Sequence, residues 1–236
     1  MSSYSEIIFA VLDGIKPLNQ TQTSIPEELV KYHIKTVRAD LAKQTIKKYG
    51  ILGNQWFQSL GCIPVVETDK SECCAYPTGC TILKLDIDLP NTIDSETNLM
   101  TVQPVNITDR PFQYIEYERV PFEGTNKYTK NFTKWFTTDN NNRVYLLVNS
   151  DDYLTMGIEV VSIFTVLEDP EEAVNFTDCS TGVACFSDKA KYPIPETYVS
   201  LLIDMVIKKL LLVTNQPIDS SNDNKTNPET TITKGS

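Results

Sequence analysis

Apolar residues recur at helical spacing towards both ends of the chain and at strand spacing through its middle. Near the start, Ile8, Val11 and Leu12 fall on one side, with Ser3 or Ser5 able to cap. That predicts a first helix to about residue 12, ended by Gly14 and Pro17. After a polar linker, Ser24-Ile-Pro-Glu27 reads as a capping box with proline in the first turn. Leu29, Ile34, Val37, Leu41 and Ile46 then recur near helical spacing, so a long helix is expected over 26–49, with Gly50 as its stop. A short third helix fits 54–60, anchored by Trp56, Phe57 and Leu60.

The texture changes at Gly61. Strand candidates are 63–67, 81–87, 100–106, 112–118, 143–148 and 158–166, separated by turn-forming runs such as 140–142 and 149–152. Asp169 caps a short helix. In the last periodic segment, Val199, Leu202, Ile203, Val206 and Leu210 form one stripe, with Leu201, Ile207, Leu211 and Leu212 largely outside it. A helix this apolar all round is normally buried on several sides, in its own core or against a neighbouring subunit. The expected fold is therefore α+β. It has N-terminal helices over 1–61 and an acidic β-rich segment over 62–194 holding a central antiparallel β-sheet or small sandwich. A long apolar C-terminal helix over 195–213 and a disordered polar tail over 214–236 complete one composite domain plus tail.

Composition changes this picture little, but charge does. The chain has 236 residues, 41% of them hydrophobic, enough for a substantial core. The net charge of −10 is uneven: residues 1–61 carry +2, residues 62–192 carry −11 and the remainder −1. The central segment would repel phosphates, so sequence-specific DNA binding is not expected. The opening residues lack a basic region before their short apolar run, and no stretch approaches ~20 uninterrupted apolar residues. A cytoplasmic site of synthesis and no membrane association are expected. Five N-x-[ST] sequons, at Asn19, Asn106, Asn131, Asn175 and Asn224, then reflect composition only.

Candidate chemistry is sparse. His33 is the one histidine, in mid-helix, and no sequence signature pairs it with a cysteine. Of six cysteines, Cys73, Cys74, Cys80, Cys179 and Cys185 lack the knuckle spacing of a zinc site. Free thiols are the default for a cytoplasmic chain, with a late Cys179–Cys185 disulfide the pairing considered. No phosphate-loop, dinucleotide, metalloprotease or nucleophile-elbow motif is present. The reading is no catalytic residue, no cofactor, no metal and no enzyme.

Several segments in order carry a family resemblance. They are Tyr4 to Leu12; Arg38-Ala-Asp-Leu-Ala-Lys-Gln44; Phe57-Gln-Ser-Leu-Gly-Cys62; Ser71 to Cys80; Arg110-Pro-Phe112; Tyr117-Glu-Arg-Val-Pro-Phe122; Glu168-Asp-Pro-Glu-Glu172; Asp178-Cys179; and Tyr192-Pro-Ile-Pro195 before the last helix. Together they resemble virion structural proteins of crAss-like phages, most closely a ring protein of the tail barrel or head–tail connector. The resemblance implies a dodecameric ring stacked beneath the portal and against other tail ring proteins. It also implies a virion location, assembly in the host cytoplasm, and a channel through which DNA passes without sequence-specific binding. Such a ring uses two different faces of each subunit. The stripe Val199, Leu202, Ile203, Val206 and Leu210 is the expected docking face. An acidic layer facing the channel would let DNA slide. The alternative function is a decoration or host-attachment protein, for which Tyr128, Trp135 and Phe136 would form an exposed aromatic patch.

Overall fold

Ser3 and Glu6 close a reciprocal capping box, and helix α1 (Tyr4–Ile15) starts there. It runs through Gly14, which acts as a packing residue and not as a stop. A Cβ at Gly14 would lie 2.7 Å from Ile207 Cδ1, so the missing side chain lets the C-terminal helix approach. Helix α2 (Glu27–Tyr49) ends at Gly50, whose φ of 73° suits a left-handed C-cap. Its N-cap is Pro26, without a side-chain cap bond. Helix α3 (Glu196–Thr214) packs against both α1 and α2. The computed structural model describes residues 2–16, 25–68, 81–93, 99–105, 111–123, 132–137, 143–148 and 157–214. Ser24, Cys73, Cys74, Cys80, Tyr128 and the expected tail beyond residue 214 lie outside them.

The helix expected over 54–60 does not form. Asn54–Trp56 makes one 3-10 turn, and strand β1 (Gln58–Glu67) follows. Its backbone is claimed by a distant partner, with Gln58 opposite Thr165 and Leu60 opposite Ile163. Local helical spacing loses to that ladder.

The other strands are β2 (Thr81–Leu85), β3 (Thr101–Pro104), β4 (Gln113–Tyr114), β5 (Lys134–Thr137), β6 (Val144–Val148) and β7 (Val160–Thr165). Among the described residues they build one seven-stranded sheet, ordered β3-β7-β1-β2-β6-β5-β4. The expected antiparallel sheet or small sandwich is thereby corrected. There is one sheet, not two, and it is mixed, because β4 runs parallel to β5. Phe112 N–H donates to Val102 O at 2.7 Å, bringing the chain entering β4 onto β3. The two edges thus approach, and the single sheet curls towards a barrel without a second sheet.

Successive strand residues point to opposite faces. Leu83, Trp135, Leu146 and Ile163 join one core cluster that also contains the buried residues of all three helices. On the opposite face, Ile82, Phe136, Tyr145 and Leu147 form a smaller cluster with Ile115 and Val120. Val120 comes from the 3-10 segment Tyr117–Phe122, which lies over that face. The nearly buried ion pair between Lys134 and Glu123 fastens this cover down. Strand β6 is consequently buried along its whole length.

The last helix also departs from expectation. It is amphipathic, not apolar all round. Val199, Leu202, Val206 and Leu210 are buried, whereas Thr197, Ser200, Leu201, Asp204, Lys208 and Leu212 are exposed. No helix among the described residues is long and apolar enough to cross a membrane.

Arg38 ties these layers together. It is fully buried on α2 and donates to three backbone carbonyls: Pro193 O at 2.8 Å, Leu167 O at 2.8 Å and Trp56 O at 3.0 Å. Its guanidinium also lies 5.9 Å from the ring centres of both Trp56 and Tyr192. Burial pulls its pKa down to about 10, so it stays charged at neutral pH.

Strand β1 slips register between Leu60 and Ile63. At this bulge Cys62 has a φ of 52°, and a Cβ on Gly61 would lie 2.7 Å from the backbone oxygen of Thr177. Backbone cannot swing aside as a side chain can. Gly61→Ala is expected to cost about 2 kcal/mol, read as a lowered urea midpoint at unchanged slope. An unchanged midpoint would mean the 177–179 segment yields freely.

Candidate assembly surfaces

The stripe expected to dock a neighbour is already occupied. Leu202, Val206 and Leu210 are wholly buried in the chain's own core, Val199 nearly so, and Ile203 packs against that core half-buried. These side chains have α1 and α2 as partners and cannot cover a second subunit as well. The expected aromatic attachment patch fails similarly. Trp135 and Phe136 are buried strand residues, one in each core cluster.

What α3 withholds, two other regions present. The first is the C-terminal end of α2. Lys47, Lys48, Tyr49, Gly50 and Ile51 are all exposed, Ile51 at 74%. Lys48 Nζ sits 5.0 Å over the Tyr49 ring, and a hydrogen bond with Tyr49 raises the Lys48 pKa. The other α2 lysines are engaged by carboxylates: Lys31 with Glu27 at 3.1 Å, Lys43 with Glu168 at 3.0 Å, and Lys35 with Asp169. Among the described residues, Lys47 and Lys48 have no carboxylate partner. Sequence carried a signal for this end, the run Lys47-Lys-Tyr-Gly-Ile51, which reads at first as a helix stop.

The second region is the cover over the opposite sheet face. Glu116, Tyr117, Glu118 and Phe122 are exposed there, Phe122 at 75%. The patch is anchored from beneath. Tyr117 lies 6.0 Å from the Phe136 ring, which belongs to the cluster on that face. Glu116 meets Arg119 at 3.4 Å, an exposed pair that contributes little. Because the cover and the helices pack on opposite faces of the sheet, the basic and acidic patches belong to different sides of the molecule.

The remaining candidates are placed as follows. His33 stands half-buried on α2 beside Tyr32, with its pKa lowered by burial and then by Lys209. Among the described residues, no group of three or more His, Cys, Asp or Glu side chains could hold a metal ion. Cys179 pairs with Cys62, at a Cα–Cα distance of 5.0 Å, and not with Cys185, which is a free thiol. The physical reason is the bulge, which pushes Cys62 towards the 177–179 segment.

That segment turns back tightly. Thr177 bridges Ala184, and Asp178 N–H donates to Val183 O at 2.8 Å. The side-chain oxygen Oδ1 of Asp178 accepts from the hydroxyls and backbone amides of Ser180 and Thr181. Those donors, Ser180 first, hold its carboxyl at about 2. The folded value lies below the unfolded one, so this stabilisation is present above about pH 4 and lost as pH falls towards 2. Asp178→Asn is expected to flatten the acid limb of the stability curve in that window. An unaltered limb would show that the exposed carboxylate is screened to irrelevance.

Comparison with known proteins gives two matches. A family model described as phage tail ring protein 2 matches residues 6–229. Ring protein 2 of Bacteroides phage crAss001 is 26% identical over 230 residues, covering 94% of this chain and 96% of that protein. Both agree with the resemblance carried by the sequence motifs.

Proposed function

This chain belongs to the phage tail ring protein 2 family, a structural component of the virion, and from that premise we propose that it works as a non-enzymatic ring subunit. Copies close head to tail into a dodecameric ring. The ring stacks below the portal and against other tail rings, lining the passage between capsid and tail. It assembles in the host cytoplasm and lets DNA pass without reading its sequence.

The observation that carries this reading is the family match along nearly the whole chain. Geometry supports the mode of closure. A cyclic ring joins one face of a subunit to a different face of the next. Here a basic, apolar helix end (Lys47, Lys48, Tyr49, Ile51) and an acidic, aromatic cover (Glu116, Tyr117, Glu118, Phe122) lie on different sides. Opposite charge sets register, and exposed apolar side chains supply area.

Charge reversal tests it, read by mass photometry and negative-stain imaging, with the portal added if rings need a template. Lys47→Glu with Lys48→Glu should abolish rings, because like charges across an interface cost several kcal/mol. Glu116→Lys with Glu118→Lys should do the same. An equimolar mixture of the two variants should recover rings, since alternating subunits restore opposite charge at every contact. Alternation also requires an even number of copies, as in a dodecamer. Rings from either double variant alone, or none from the mixture while the unaltered chain forms them, would refute these surfaces.

A further inference from the structure

The two cysteines of the disulfide belong to segments that the fold positions by other means. Strand β1 is clamped by β7 on both sides of its bulge, with Leu60 opposite Ile163 and Ile63 opposite Val161. The facing turn is closed by its own backbone. Thr177 bridges Ala184, Asp178 N–H donates to Val183 O at 2.8 Å, and Cys185 N–H donates to Phe176 O at 2.8 Å. Phe176 roots that turn in the main core. The two backbones meet at Gly61, where a Cβ would lie 2.7 Å from Thr177 O and 3.1 Å from the Cα of Asp178. Ladder and packing thus bring Cys62 and Cys179 to a Cα–Cα distance of 5.0 Å. Both residues are half-buried and keep contact with solvent.

A pair positioned in this way needs no sulfur–sulfur bond to meet, and its state follows its surroundings. Thiol pools keep such pairs reduced in a cytoplasm, whereas a disulfide persists outside the cell. We propose that Cys62 and Cys179 form a lock timed by compartment: two thiols while the chain folds and assembles, one disulfide after the particle leaves the cell. The timing rests on the assembly in the host cytoplasm proposed above.

The oxidant is a small-molecule disulfide. One cysteine thiolate attacks it, a mixed disulfide forms, and one small thiol leaves. The second cysteine attacks the protein sulfur of that mixed disulfide. The Cys62–Cys179 bond forms, the mixed bond breaks, and a second small thiol leaves. Two protein thiols are oxidised and one small disulfide is reduced, and the two cysteine protons end on the expelled thiols. The closed bond ties β1 to the turn across a sequence separation of 117. Cross-links that close long loops restrict the unfolded chain most, so the released particle gains stability that the assembling subunit lacks.

Peptide mapping reads the timing. Infected cells and purified particles are quenched with acid, alkylated under denaturing conditions and digested. Trypsin leaves Cys62 in the peptide 49–70, Cys179 and Cys185 together in 144–189, and Cys73, Cys74 and Cys80 in 71–84. From cells, Cys62 and Cys179 should both be alkylated. From particles, 49–70 should be joined to 144–189, with Cys185 still alkylated. Melting of the purified chain reads the lock apart from any ring. The chain reduced with a phosphine should stay folded by circular dichroism and melt about 10 °C below the chain oxidised with glutathione disulfide. Cys62→Ser and Cys179→Ser should each melt near the reduced chain and ignore the reductant. This shift is measured on the lone subunit, so failure of the charge-reversal test for rings leaves it standing. A bond already closed inside cells would overturn the proposal. So would a reduced chain that unfolds, an oxidised chain that melts no higher, or particles in which 49–70 is joined to 71–84.

Discussion

Arg38→Ala is expected to destabilise the fold by about 4 kcal/mol, enough to leave much of the chain insoluble. Three carbonyl oxygens, of Pro193, Leu167 and Trp56, would lose their donors at once. A buried acceptor without a partner costs about 1–3 kcal/mol, and the cavity adds to that. Relief works the other way, since the mutation also removes a desolvated charge. Two further substitutions separate these effects. Arg38→Met keeps the volume and removes both charge and donors; it should lose about 3 kcal/mol. Arg38→Lys keeps the charge, but one ammonium cannot reproduce a planar fork reaching three carbonyls. It should fall between wild type and methionine. Urea unfolding monitored by tryptophan fluorescence measures all three, Trp56 lying beside the guanidinium. Methionine as stable as arginine would mean that these hydrogen bonds only offset the cost of burying the charge.

Arg38 also shows where sequence reasoning reaches its limit. On the helical pattern it is one more cation among the lysines of α2. Its role depends on carbonyls 18, 129 and 155 residues away, which no local pattern carries. Elements closed by local chemistry were legible: the Ser3 cap, the Gly50 stop, and the β-branched and aromatic run of β6. Elements decided by partners were not. Strand β5 is four residues long, and its first, Lys134, is buried because Glu123 reaches it. Gly14 reads as a helix breaker until Ile207 is seen against it. The cysteine spacing suggests a local pair, whereas the observed bond spans 117 positions. For the candidate surfaces, the charge imbalance between segments was visible, but not that Glu116 and Glu118 sit on the sheet face away from the helices while Glu168 and Asp169 pair with lysines of α2. Counting apolar residues in the last helix misled for a related reason. Such a count cannot tell a buried leucine from its exposed neighbour.

That distinction yields the second large effect. Leu202→Asp is expected to abolish folding, while Leu201→Asp is expected to change stability by no more than about 0.5 kcal/mol. The two leucines are adjacent, about 100° apart around the helix axis. Leu202 is wholly buried among the core residues of α1 and α2, and Leu201 is 44% exposed. At Leu202 the substitution loses about 2–3 kcal/mol of burial and strands a carboxylate without a partner, which exceeds 4 kcal/mol together. Because an unfolded variant reports little, Leu202→Ala supplies the measurable step, about 3 kcal/mol by thermal or urea unfolding. The contrast separates a core helix from a docking helix. A docking face would give a Leu202→Asp chain that folds as well as Leu201→Asp and fails only to assemble. A core face gives a chain that fails before assembly is reached, with Leu202→Ala in between: folded and weaker.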